Sequence, residues 1–163
     1  KEFKRKQSIF LHLCIVSMDQ ELLNCLMNLT KWKRKNKMII GIGTDMIEIQ
    51  RVVKACEKEA FLLRVFSEAE QRLIEQDKKK AADNFAVKEA VVKMFGTGFR
   101  KVKPIEIEVL RDALGKPYVQ LYGNAECLAK EQKITHVHVS ITNTKEFSSA
   151  FVIGECRDEV CNK

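Results

Sequence analysis

Two acids, Asp45 and Glu89, stand where the surrounding residues give an acid little reason to be. Asp45 ends the apolar, strand-like run from Met38 through Ile42, Gly43 and Thr44. Glu89 lies within a helical pattern flanked by Phe85, Ala86, Ala90 and Val91. Carboxylates brought together from two apolar elements repel each other unless positive charge lies between them. For a pair of hard oxygen ligands the usual counter-ion is Mg²⁺, which keeps several waters and binds through one or two carboxylates plus substrate phosphates. The pair therefore points to chemistry on a phosphate. Plainer uses compete with it. An Asp after a strand commonly caps the next helix. An exposed Glu89 would only pair with Lys93 four residues on, for about 0.3 kcal/mol. Against that, Phe85, Glu89 and Lys93 recur at i, i+4 and i+8 with Val92 adjoining, a stripe that turns the acid inward.

The elements that must carry these residues follow from the pattern. Met38–Ile42 reads as a short buried strand bounded by glycines. Ile47, Ile49, Val52 and Val53 recur at near-helical spacing, so a helix is expected to follow Asp45. Phe61–Phe66 is apolar and is expected on the core. Ser67-Glu68-Ala69-Glu70 is a capping box opening a helix to about Lys80. Asp83 or Asn84 would cap the next helix, which should reach about Phe95 and stop at Gly96. The period then changes. Ile105, Ile107 and Val109 alternate with Glu106 and Glu108 as a strand with one wet face, and Tyr118–Tyr122 returns after a turn. Asn124 would cap a short helix to about Gln132. Val137, Val139 and Ile141 share one face of a strand over 135–142, and Phe147–Ile153 closes a hairpin. Early helices and late antiparallel strands make an α+β fold, helices packed on a small antiparallel sheet.

The chain has 163 residues, enough for one domain with a real core. Its net charge of +7 is concentrated at the start: residues 1–37 hold nine basic and three acidic side chains, the remainder 20 and 19. A nearly neutral body without a basic stripe and interleaved aromatics excludes nucleic acid as the expected partner. Six cysteines at irregular spacing, with no C-x-x-C, read as free thiols in a reducing cytosol. The apolar stretch Ser8–Met18 is too short to span a bilayer, and His12 interrupts it. Residues 1–37 are read as an extension outside the fold, 38–155 as the domain and 156–163 as a tail. A cytoplasmic protein with no membrane attachment is expected. His136 and His138 share a strand face but have no third metal ligand at matching spacing, and Ser140 has no His–Asp partners in triad order.

Four ordered motifs carry a resemblance. Gly41-Ile42-Gly43-Thr44-Asp45-Met46-Ile47-Glu48-Ile49 with Arg51 resembles the first motif of the holo-acyl-carrier-protein synthases, the small trimeric 4′-phosphopantetheinyl transferases. Phe85-Ala86-Val87-Lys88-Glu89-Ala90 with Lys93 resembles their second, and Gly96-Thr97-Gly98 follows at the family's spacing. Gly115-Lys116-Pro117 and Val137–Thr142 resemble the closing segments. The resemblance runs from Met38 to about Glu155.

It implies a 4′-phosphopantetheinyl transferase-like fold and a homotrimer with sites between subunits. It further implies that Asp45 and Glu89 hold one Mg²⁺ with coenzyme A phosphate oxygens and waters. The reaction implied moves the 4′-phosphopantetheine arm of coenzyme A to a serine of apo-acyl-carrier protein, releasing adenosine 3′,5′-bisphosphate. Lys93 would act as a point charge on the phosphates, and Glu89, directly or through a metal-bound water, would take the serine proton. Lys88 points about a hundred degrees away, toward another part of the ligand or only solvent. Gly96, Gly98, Lys116, Asn143 and Thr144 fall to the coenzyme, and Arg51 to the acidic carrier protein. Two positions depart from the pattern: Asn143 replaces a common His and Asn84 a common Arg, both associated with holding the coenzyme. Asn can hydrogen-bond but carries no charge. The rival reading is a non-catalytic coenzyme- or carrier-binding homologue in which these two changes mark lost activity.

Overall fold

The computed structural model describes residues 38–157, so the expected extension over 1–37 and the end of the expected tail lie outside the described residues. The opening apolar run is strand β1, Met38–Glu48. It pairs antiparallel with β5, Phe147–Cys156, which pairs in turn with β4, His136–Asn143. The three-stranded sheet has the order β1-β5-β4. A separate antiparallel hairpin joins β2, Ile107–Arg111, to β3, Pro117–Leu121. Between β1 and this hairpin lie four helices: α1 Ile49–Cys56, α2 Glu59–Val65, α3 Glu68–Gln76 and α4 Lys79–Met94. Helix α5, Gly123–Glu131, links β3 to β4. Helices gather early and strands late, as an α+β fold requires. No helix among the described residues is long and apolar enough to cross a membrane.

Several local expectations are corrected. The helix expected after Asp45 is present as α1 but begins only at Ile49; β1 continues three residues past Asp45 because its backbone stays paired with β5 as far as Glu48 opposite Phe147. Ladder bonds hold Ile47 in the strand, while Ile49, Val52 and Val53 lie on helix α1 as their spacing implies. Nor is the run a buried strand: β1 is an edge strand, with Ile39 65% and Ile42 60% exposed. Helix α3 ends at Gln76, short of Lys80. Asp83 and Asn84 lie inside α4, not at its cap, and both are buried. Ile105 sits in a 3₁₀ turn, Pro104–Glu106. The wet face expected around Glu108 is dry, because its carboxylate accepts from the Ser67 hydroxyl at 2.6 Å and the Tyr122 hydroxyl at 2.9 Å. Helix α5 is capped by Tyr122, before the expected Asn124. Cys156 belongs to β5, fully buried and disulfide-bonded, so neither the tail nor the all-free-thiol expectation holds for it. The capping box at Ser67 and Glu70 and the positive φ of Gly96 are as read.

Helix α4 is the centre of the packing. Ala81, Ala82, Ala86, Val87, Ala90, Val91, Val92 and Met94 are all buried along it. One core cluster joins α4 to both sheets and to α5; a second joins its first turns to α1, α2 and α3 around Phe66. The contact with β1 is made backbone to backbone. A Cβ added at Gly43 would lie 1.9 Å from the Ala90 carbonyl oxygen, and one at Gly41 2.4 Å from that of Met94. No side chain fits between the two elements there, so glycine at both positions lets the helix rest on the strand.

Gly43→Ala must therefore push α4 off β1. The variant is expected to lose about 3 kcal/mol, the upper range for overpacking a tight contact, read as a lower denaturant midpoint. An unchanged midpoint would show that the two elements are not in contact at this glycine.

Candidate active site

The pairing register decides which way Asp45 faces. Asp45 lies opposite Ala150, and Gly43 opposite Val152. Ala150 and Val152 are buried in the cluster around α4, so Asp45 points to the helix side of the sheet. On α4, Phe85, Glu89 and Lys93 are successive members of one stripe. The tight contact at Gly43 brings this stripe against β1. Lys93 Nζ reaches Asp45 Oδ1 at 2.7 Å, with the Lys93 side chain half exposed and that of Asp45 15% exposed. Asp45, Glu89 and Lys93 line one cavity of about 420 Å³, together with Arg51 from α1.

The cleft holds two acids and two cations, of which Lys93 pairs with Asp45, and Glu89 is left without an ion pair of its own among the described residues. Burial first, and then the charge of Asp45, push the Glu89 carboxyl above its ordinary value; Lys93 pulls it part of the way back. Ionised Glu89 is thus held in a place that disfavours its charge. A cation arriving between the two acids would relieve that. Among the described residues no group of three His, Cys, Asp or Glu side chains is placed to hold a metal. A two-carboxylate site suits Mg²⁺, which rarely takes an all-protein cage.

Not every predicted residue joins the cleft. Asp45, Glu89, Lys93 and Arg51 do. Gly96 and Gly98 follow the end of α4, both at positive φ. Lys116 lies at the β2–β3 turn, its backbone N–H donating to Asp112. Asn143 ends β4, where its amide donates to the buried Asp83 carboxylate at 3.1 Å, an acceptor shared with the Ser148 hydroxyl at 2.7 Å. Thr144 Oγ1 accepts from the Phe147 N–H in the adjoining turn. None of these five lines the cavity. Asn84 faces away from it, donating to Glu70 and to the Val109 carbonyl. His138 is 2.6 Å from Glu155, which also accepts from Arg157, while His136 contacts the Thr135 hydroxyl at 3.0 Å and stacks on His138.

Sequence reasoning missed the cavity's apolar wall of Val52, Ala55, Phe61 and Phe85. It also placed Lys88 wrongly. That side chain is fully buried and paired with Glu70 at 2.8 Å. Residues 87–92 are apolar at every position except 88 and 89, which was the available signal.

An α+β domain presenting two acids and a lysine beside one cleft is the arrangement its four motifs imply for a phosphopantetheinyl transferase. A family model described as the 4′-phosphopantetheinyl transferase superfamily (ACPS) matches residues 41–152. A holo-[acyl-carrier-protein] synthase of Lachnoclostridium phytofermentans is 71% identical over 118 residues, spanning 72% of this chain and 97% of that one. The Plasmodium yoelii acyl carrier protein synthase with ADP bound is similar in structure, with a TM-score of 0.67 and 30% identity over 74% of this chain and 98% of that one. A Bacillus anthracis holo-(acyl-carrier-protein) synthase in complex with CoA (3′,5′-ADP) gives a TM-score of 0.60 and 34% identity, covering 73% and 98%. The chain belongs to the 4′-phosphopantetheinyl transferase superfamily and, within it, to the holo-acyl-carrier-protein synthases.

The raised Glu89 carboxyl has a signature in stability. Its charged form is disfavoured in the folded protein, so it costs stability above the raised folded pKa and nothing below its ordinary value of 4.5. Glu89→Gln should therefore raise the melting temperature of metal-free protein at pH 7. The advantage should shrink as pH falls and disappear below about 4.5. A variant no more stable than wild type at pH 7 would place Glu89 in solvent.

Proposed function

We propose that this protein is a Mg²⁺-dependent holo-acyl-carrier-protein synthase. It moves the 4′-phosphopantetheine group from coenzyme A to a serine of apo-acyl-carrier protein, in the cytoplasm and as a homotrimer. The observation that carries the reading is the facing of Asp45 and Glu89 across the α4–β1 contact, with Lys93 between strand and helix.

Asp45 and Glu89 would hold the metal, their oxygens being the hard donors it prefers. When bound, Mg²⁺ supplies charge neutralisation to the pyrophosphate. The chain's own groups do the rest. Lys93, with a half-exposed ammonium, binds coenzyme phosphate as a point charge. Glu89 takes the proton of the attacking serine. The serine oxygen bonds to the phosphorus nearer the pantetheine. The bond from that phosphorus to the bridging oxygen breaks, and adenosine 3′,5′-bisphosphate leaves with the electron pair. Phe61, Phe85 and Val52 form a wall that limits water near the reacting atoms. Arg51, exposed on α1 at the rim, meets the acidic carrier.

Two features support assembly. Ile42, Met46, Phe147 and Phe151 leave the sheet face opposite α4 apolar and exposed. The residues assigned to coenzyme at 96, 98, 116, 143 and 144 do not line this chain's cavity, as expected if a site is completed by a neighbouring copy. The non-catalytic rival is not favoured. The charged pair is intact, and Asn84 and Asn143 have found internal partners in Glu70 and Asp83.

Incubation of the full chain with apo-carrier, coenzyme A and Mg²⁺ should add the phosphopantetheine mass to the carrier. Asp45→Ala and Glu89→Ala should each lower turnover to about one hundredth or less while the protein stays folded. No mass gain with wild type would refute the transferase reading, and substantial activity in either variant would refute the two-carboxylate assignment.

Arg51→Glu should raise the KM for carrier about tenfold with that for coenzyme A unchanged, and should flatten the dependence of carrier KM on salt. A rise in the KM for coenzyme A alone would move Arg51 into the coenzyme pocket.

A further inference from the structure

Beside the metal-binding acid sits a lysine that the reaction does not use. Lys88 is fully buried, and its ammonium has three acceptors: Glu70 Oε2 at 2.8 Å, the Pro104 carbonyl at 3.1 Å and the Ile107 carbonyl. Its Nζ also lies 5.5 Å from the centre of the buried Phe66 ring. Glu70 is as fully engaged. It accepts from the Ser67 N–H at 3.0 Å, and from the Asn84 amide and the Val109 N–H at 3.2 Å each. The Lys88 ammonium and the Asn84 amide N–H groups are all matched, while Asn84 Oδ1 is buried without a hydrogen-bond partner, and the bonds run from α4 to the start of α3, to the 3₁₀ turn before β2 and to β2 itself.

The two sides of α4 are built differently. Toward β1 the helix rests on Gly41 and Gly43, with Ala86 and Ala90 buried along it. Such a contact fixes the distance between helix and strand. Gly43 itself has no side chain to fix how the helix rolls or slides, which on that side is left to Met94, the half-exposed Lys93–Asp45 pair and the bonds to Asp83. On the far side Lys88 and Asn84 add directional bonds that fix it too. Side-chain ends lie about 5 Å from a helix axis, so a roll of about 10° carries the Glu89 carboxylate about 1 Å. A displacement of that size is enough to spoil a reacting geometry. A buried ion pair is a poor choice for stability alone, since an apolar replacement often does as well.

We propose that the Lys88–Glu70 pair is a positioning device: it sets the roll of α4 and so aims Glu89 at Asp45. The inference rests on the metal reading of those two acids. Lys88 touches neither substrate nor metal and acts through the helix.

The test uses Mn²⁺ as a probe for the cation site, titrated without coenzyme A by electron paramagnetic resonance, alongside turnover and melting temperature of the full chain. Lys88→Met with Glu70→Gln removes both charges and leaves a glutamine oxygen for the Val109 N–H. The folded double variant should bind Mn²⁺ about tenfold more weakly and turn over about a hundredfold more slowly. A role confined to stability would change only the melting temperature. If the double variant does not fold, Lys88→Arg decides. It keeps the ion pair but carries its donors further from the backbone, and it should fold while losing metal affinity and turnover in the same direction. Native Mn²⁺ affinity and native turnover in whichever of these variants folds overturn the proposal. Asp45→Asn and Glu89→Gln, made with Lys88 intact, keep the two ideas separate. Native Mn²⁺ affinity in both overturns the metal reading itself; weakened binding in them, with none in the Lys88 variants, overturns positioning alone.

Discussion

Everything in this structure depends on how closely α4 approaches β1. At Gly43 the helix backbone occupies the space a β-carbon would need, 1.9 Å from the Ala90 oxygen. That approach carries the stripe of Phe85, Glu89 and Lys93 to the inner face of an edge strand, where Asp45 already points. The site is the consequence: two carboxylates close enough for one to raise the other, and a lysine that reaches across at 2.7 Å. The fold thus stores an unfavourable charge pair at a point where a small divalent cation and a polyphosphate would both be welcome.

At Gly43 the helix meets the strand with no side chain of the strand to hold its orientation. The opposite side compensates with Lys88, Asn84 and Glu70, a polar network buried among Phe66, Val109 and Ile107. Asp83, Asn143 and Ser148 form a second such network, tying α4 to the β4–β5 hairpin. The two departures from the family pattern both fall in these networks. Asn84 and Asn143 each donate an amide to an internal carboxylate, and neither lines the cavity.

Much of this was legible in the sequence because it is local. The capping box at Ser67, the stop at Gly96, the alternation of Val137, Val139 and Ile141, and the helical stripe through Glu89 all depend on neighbours within one or two turns. The motifs supplied the pairing of Asp45 with Glu89, which spacing alone does not. What was not legible is long-range. β1 runs past Asp45 because β5, a hundred residues later, continues to pair with it. Glu108 is dry because Ser67 and Tyr122 reach it. Lys88 resembles a solvent-facing helical lysine until Glu70 and two distant carbonyls are placed around it. Polar residues in a core are recognisable by their partners, and partners are a property of the fold.

The central claim is that Asp45 and Glu89 share one cation. Its most direct test is to follow the Glu89 side-chain carboxyl carbon by ¹³C NMR through a pH titration of the full chain, with and without saturating Mg²⁺. A cation between the acids favours the ionised form of both. The account predicts that Glu89 titrates above its ordinary value without metal and drops well below that position when Mg²⁺ is present. A Glu89 titration that is the same in both conditions would contradict it.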